Sequence, residues 1–348
     1  MGTQARTSNT TSINQLNIAL MLISCVVAMF VPFQLFLFSY AFLGPAHYLT
    51  EISWLHKRHF FTKGRHDWWL LSGLGAIAAA VLLVVGSGYK GLPDPTKFNT
   101  AITVFAFGSA LILMLVEKAR DRVLGLALVI TLSLLTVNVK LFIAVMIALF
   151  VPTLIHVYVF TGFFIIYGAL KERSRSGYWS FCVFLLCPLV FLFVQPQTTV
   201  PSQHVLETYW NYFGLVNRTL LGIATPRSQT EMDQAVRTVF GSPAGLMIMR
   251  FIAFAYTYHY LNWFSKTSLI KWHRMPRRGL ALLSVLWLSC IGLYLYDYGL
   301  GFKVLMCLSL MHVYLEFPLN HVSIIGIFRE LTASRRLRQV REETLVLR

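Results

Sequence analysis

Ten apolar runs dominate this chain, near residues 14–31, 33–55, 67–86, 99–116, 123–138, 141–169, 178–195, 243–265, 279–297 and 301–327. A hydrocarbon core about 30 Å thick takes a helix of about 20 residues to cross. Lipid offers no partner for a backbone N–H or C=O, so each run must satisfy its own hydrogen bonds as a helix. The expected fold is therefore all-α: a polytopic transmembrane helix bundle of about ten spans, forming a single domain over residues 1–348. The fifth run is the shortest. Charged residues make up only 13% of the chain and the mean hydropathy is +0.63, values that belong to a membrane protein.

The net charge of +16 would suggest nucleic acid in a soluble protein. Here the basic residues sit in the connections. Loops and tails 1–13, 56–66, 117–122, 170–177, 266–278 and 328–348 hold 22 of the 30 Lys and Arg residues. That asymmetry is the positive-inside signature, so both termini are expected in the cytoplasm and nucleic acid is excluded as a partner. Membrane lipid is the expected surround, and the basic tail 328–348 is expected to rest on anionic headgroups. Segment 196–242 lies on the other side, where helical spacing of apolar residues predicts an outer loop or interfacial cap. The N-terminal run has no clear small-x-small cleavage site, so the first span is expected to be retained. Cys25, Cys182, Cys187, Cys290 and Cys307 all fall inside apolar runs without a CxxC pair, which predicts small buried hydrophobes.

Four of the runs share a pattern. His47-Tyr48, His156-Val157-Tyr158, His259-Tyr260 and His312-Val313-Tyr314 each place a histidine beside a tyrosine. They fall in spans 2, 6, 8 and 10, which run in one direction through the membrane. Imidazole is costly in lipid and marks a functional site there. Several neutral imidazoles in a dry bundle are most economically explained by a metal, which satisfies one ring nitrogen of each. Nitrogen ligands suit iron, with Fe(II) as the leading candidate and copper or zinc as alternatives; magnesium and calcium prefer oxygen.

Two copies extend further, because His47-x3-Glu51-x4-His56 and His312-x3-Glu316-x4-His321 have the same spacing. Residues i and i+4 share a helix face, so Glu51 and Glu316 either orient their histidines or bind the metal directly. Asn262, one turn after His259, and His321 are further candidates for that supporting role. His56, His59, His66 and His273 fall in basic loops and His204 in the outer loop, away from the site. Arg250 lies within a span, where it needs a carboxylate, backbone carbonyls or a snorkelling route. By simple counting, His47 and His259 lie about two turns from the cytoplasmic ends and His156 and His312 about three to five. Pro45, Pro152 and Pro318 are the nearby sources of kinks that would level them.

The architecture, Gly44-Pro45-Ala46-His47 and His312-x3-Glu316 together resemble the Brp/Blh-type β-carotene 15,15'-dioxygenases, integral membrane proteins of bacteria and archaea. The resemblance implies a non-haem iron held between helices by His47, His156, His259 and His312, with Glu51 and Glu316 behind them. It implies central cleavage of a carotenoid, or chemistry on another isoprenoid, in a bacterial plasma membrane. Trp54, Tyr158, Phe160, Tyr258, Trp263 and Tyr314 would line the channel for that lipid-soluble substrate. The fatty-acid desaturases and hydroxylases are excluded, since they need HxxxH and HxxHH boxes and this chain offers only His56-x2-His59. Two other readings use the same residues: a b-type haem electron carrier with paired histidine ligands, and a proton-coupled transporter relaying protons through His and Glu.

Overall fold

The computed structural model describes all residues except 1, 90, 92–93, 225–231, 267–275 and 347–348, and side chains except those of 1–9, 224–235 and 334–348 as well. His273 therefore lies outside the described residues, as do the basic side chains of the tail beyond 333. Among the described residues there is no strand. The helices are α1 (Gly2–Phe30), α2 (Pro32–Phe38), α3 (Gly44–His56), α4 (Trp68–Gly86), α5 (Pro95–Leu115), α6 (Ala119–Leu135) and α7 (Leu141–Val145). They continue as α8 (Thr161–Glu172), α9 (Arg175–Phe193), α10 (Gln203–Ala224), α11 (Met232–Gly241), α12 (Pro243–Ser265), α13 (Arg277–Tyr296) and α14 (Tyr298–Val346).

Each of the ten apolar runs falls on helix, but only eight described helical stretches are long and apolar enough to cross a membrane by that measure alone. The two left out are Pro32–His56 and Pro243–Ser265. Both lie inside the bundle, and α12 buries most of its length, from Gly245 to Ser265, against protein. A helix wrapped by other helices has no need of lipid-compatible side chains, so it can carry Arg250, His259 and Asn262. The outer helices show the converse. Ser133 is the sole buried residue of α6 and Tyr294 that of α13, while Leu124, Leu128, Leu282 and Val285 stand outward and exposed.

Helix starts follow local chemistry. Ser242 Oγ accepts from Gly245 N at 3.0 Å ahead of Pro243, Ser174 Oγ accepts from Gly177 N at 3.2 Å, and Asp94 Oδ1 accepts from Lys97 N at 3.3 Å ahead of Pro95. Two stretches are wound more loosely, as π-helix: Ser39–Leu43, which leads into Gly44-Pro45, and Met146–Phe160, which contains Pro152. Proline removes one N–H and its ring crowds the carbonyl four residues back, and a wider turn relieves both. A wider turn also shifts the angular register and depth of the residues after it, here His47 and His156.

Arg250 is 1% exposed and has no carboxylate partner among the described residues. Its Nε donates to Met29 O at 3.1 Å and its Nη2 to Pro196 O at 2.7 Å. Met29 ends α1, where carbonyls lack intrahelical partners and the helix dipole favours a cation. Arg250 thereby ties α1, α12 and the segment before α10 together. Replacing it with methionine leaves two part-buried carbonyls without that donor, at about 1 kcal/mol each. A clear fall in the thermal midpoint of Arg250→Met in detergent is expected, with Arg250→Lys intermediate; an unchanged midpoint would refute the latch.

Candidate metal centre

The structure brings the four histidines together. One ring nitrogen from each of His47, His156, His259 and His312 lies within 4.8 Å of all the others, and none of the four is more than 5% exposed. His47 reaches the group from α3, His156 from the π-helical stretch, His259 from α12 and His312 from α14. Two contacts set the geometry: His47 Nε2 to His259 Nε2 at 3.1 Å and His156 Nε2 to His312 Nε2 at 3.2 Å. Ring centroids lie 4.7 Å apart for His47–His259, 4.8 Å for His156–His259, 5.0 Å for His156–His312 and 5.3 Å for His47–His312.

The donor set fits a metal ion. Metal–imidazole bonds of about 2.0–2.1 Å put neighbouring nitrogens about 3.0–3.4 Å apart. The two short edges fall in that range. Without an ion, two Nε2 atoms face each other and only one can carry the proton between them; with an ion, both lone pairs are used. The buried Nδ1 atoms of His47, His156 and His312 have no hydrogen-bond partner among the described residues.

The supporting residues are arranged differently from the sequence expectation. Glu51 Oε2 lies 3.0 Å from His47 Nε2, on the side that faces the other histidines and out of hydrogen-bond alignment. Glu316 does not serve His312 on its own helix; its Oε2 lies 3.4 Å from His156 Nδ1. The reason is that His312 turns its Nε2 to His156, and the two helices meet at that point. Asn262 Oδ1 is buried without a partner close by, on the wall of the cavity below the centre. His321 stands apart, with its Nε2 2.8 Å from Phe107 O, because nine residues carry it round to another face of α14.

Sequence reasoning did not single out Thr161, whose Oγ1 lies 2.8 Å from His259 Nδ1. It follows His156 by five residues at the end of a π-helix, a spacing that carries meaning only once the wider turn is known. Tyr48 stacks on the His312 ring at 4.2 Å between centroids, and its hydroxyl is 3.0 Å from that of Tyr260.

Two cavities approach the centre. One of about 640 Å³ is lined by His47, Glu51, His259 and Glu316 and continues past Trp54, Trp263 and Lys266 to the end carrying Arg58 and Lys171. The other, of about 350 Å³, is lined by His156, His259 and His312 and by Tyr40, Tyr48, Tyr256 and Phe302 beneath Tyr209 and Phe213 of α10. Along α3, α12, α14 and the π-helical segment into α8, the lining residues change from one cavity to the other at or near the histidine. The centre is thus a partition between an aromatic chamber and a charged vestibule.

Of the aromatics expected along a channel, Trp54 and Trp263 line the larger cavity. Tyr158, Phe160, Tyr258 and Tyr314 line neither. They are held in the packing, with Tyr158 OH donating to Phe184 O at 3.3 Å, Tyr258 OH to Asn17 Oδ1 at 3.3 Å, Tyr314 OH 2.8 Å from Thr103 Oγ1, and Phe160 parallel to Phe107.

No protein-family model, curated protein or solved structure matches the chain.

Proposed function

We propose that this integral membrane protein is a non-haem iron oxygenase acting on a lipid-soluble substrate of the carotenoid or isoprenoid class. The observation that carries the proposal is the group of four buried histidines with ring nitrogens within 4.8 Å, standing at the floor of an aromatic chamber. Iron bound there would supply redox and dioxygen chemistry. The residues of the chain do the rest. His47, His156, His259 and His312 would hold the ion, Thr161 fixes the ring of His259, and Glu316 stands behind His156. Tyr40, Tyr48, Tyr256 and Phe302 would hold an apolar body against the centre and keep water from it.

Imidazole rings 4.7–5.3 Å apart leave no slot between them for a porphyrin, which favours a bare ion over haem b. Proton-coupled transport draws on one observation, the two cavities that reach the same histidines. It requires substrate-dependent proton uptake in liposomes that chelators leave unchanged. The resemblance to the Brp/Blh-type dioxygenases suggests the first assay. Expression in a carotene-producing bacterium is expected to bleach the orange colour and yield retinal, and His47→Ala to abolish both. Full retention of carotene in cells making metal-loaded protein would remove the carotenoid assignment and leave an oxygenase of another lipid.

A further inference from the structure

The larger cavity is basic at its mouth, lined by carboxyl groups at its floor, and apolar between. Three cations along it lie over aromatic faces: Arg58 at 5.2 Å from the Trp54 centroid and Lys171 at 5.6 Å from Tyr167 at the exposed mouth, and Lys266 deeper, at 5.6 Å from Phe164. All six residues line the cavity, and the cations come from the end of α3, the end of α8 and the residue that closes α12. Long basic side chains lose considerable rotamer freedom when they converge on a ligand; seating on a ring reduces that loss beforehand. Among the described lining residues, Glu172 is the only carboxylate near the mouth, and it is exposed.

The floor carries carboxyl groups instead. Glu51 and Glu316 are 2% and 1% exposed, and Glu51 Oε2 and both oxygens of Glu316 lack hydrogen-bond partners among the described residues. Between mouth and floor the wall includes Phe164, Ile165, Trp263, Leu319 and Val322. Burial pushes the Lys266 ammonium down to about 8, although Glu51 and Glu316 pull it upward.

A positive mouth followed by an apolar wall selects one kind of ligand. A small dianion gains at the mouth but leaves the apolar wall uncovered. A hydrocarbon gains nothing from the three cations. We propose that this cavity binds a single-chain amphiphile with a carboxylate head, the head held by Arg58, Lys171 and Lys266 and the chain directed past Trp263 and Leu319 toward the histidines. This deepens the oxygenase reading by naming a second ligand class for its centre; the binding itself does not depend on that reading.

The test uses the full chain in phosphatidylcholine nanodiscs and a hexadecanoate carrying a diazirine at the far end of its chain. Light-dependent labelling is expected within 161–171 and 316–323, with hexadecanoate protecting at least about tenfold better than its methyl ester, as fits charge-assisted contacts. The Arg58→Gln/Lys171→Gln/Lys266→Gln variant is expected to lose the labelling while keeping the wild-type thermal midpoint. Equal protection by the ester, or undiminished labelling of the folded triple variant, overturns the head-group assignment. Full protection by inorganic phosphate at the same concentration overturns the requirement for a chain. Protein stripped of metal by chelation is expected to label normally, so failure of the metal reading and failure of this one are distinguishable.

Discussion

Replacing His47 or His312 with alanine is expected to lower the bound transition metal from one ion per chain to less than about a tenth of that. Ion binding by four protein ligands is worth about 10–16 kcal/mol, so one ligand accounts for about 3 kcal/mol, or about a hundredfold in affinity. Here the loss is compounded. Each of these histidines presents its Nε2 to a partner at 3.1 or 3.2 Å, and alanine leaves His259 or His156 facing a dry void. Thr161→Val, which removes only the contact to His259 Nδ1, is expected to cost about ten- to a hundredfold in metal affinity. Metal analysis of protein purified without oxygen, alongside a thermal midpoint for each variant, reads both effects. Wild-type protein free of stoichiometric transition metal under those conditions would sink the oxygenase reading. A full metal complement in a well-folded His312→Ala protein would sink the four-ligand assignment.

The second large effect is expected at a helix contact beside His312. A Cβ on Gly75 of α4 would lie 2.8 Å from Met311 Cα, 3.0 Å from Met311 N and 3.1 Å from Leu310 O. Those are backbone atoms of α14, which have no rotamer to escape into, so α4 and α14 must part. Overpacking of this kind costs about 1–3 kcal/mol. Met311 immediately precedes His312, so the separation is transmitted to the metal site. Gly75→Val is expected to lower both the thermal midpoint and the metal content. Gly73, on the same helix with nothing within 4 Å of a built Cβ, provides the comparison. Gly73→Val is expected to leave both measurements near wild type. Equal behaviour of the two variants would show that the close approach of α4 to α14 does not position His312.

Much of the centre was legible because membrane chemistry is restrictive. Four imidazoles in apolar segments stand out where ionisable groups are costly, and helices running in one direction can present them alike. Their convergence was not legible. His156 and His312 count deeper than His47 and His259 on straight helices, yet the four meet, and π-helical winding around Pro152 and ahead of Pro45 alters the register of His156 and His47. Hydrophobic periodicity carries no mark of a π-turn. The i,i+4 rule placed Glu316 with His312 because both lie on one helix, whereas the carboxylate stands beside His156 on another. Position along the chain suggested the aromatic residues of a channel, but it does not say which way a side chain faces. Trp54 and Trp263 face a cavity; Tyr158, Phe160, Tyr258 and Tyr314 fill the packing between helices.

What the sequence by itself determined is the helical character of the chain and the identity of the four histidines. Both come from the cost of leaving a backbone amide or an imidazole unpaired in hydrocarbon, a cost that is local and therefore written residue by residue. Which helices lie inside the bundle, which carboxylate attends which histidine, and the two cavities of opposite character were decided only by tertiary structure. Those depend on how the helices pack against one another: α12 is polar because other helices surround it, and the centre exists because α3, α12, α14 and the π-helical segment cross at one depth.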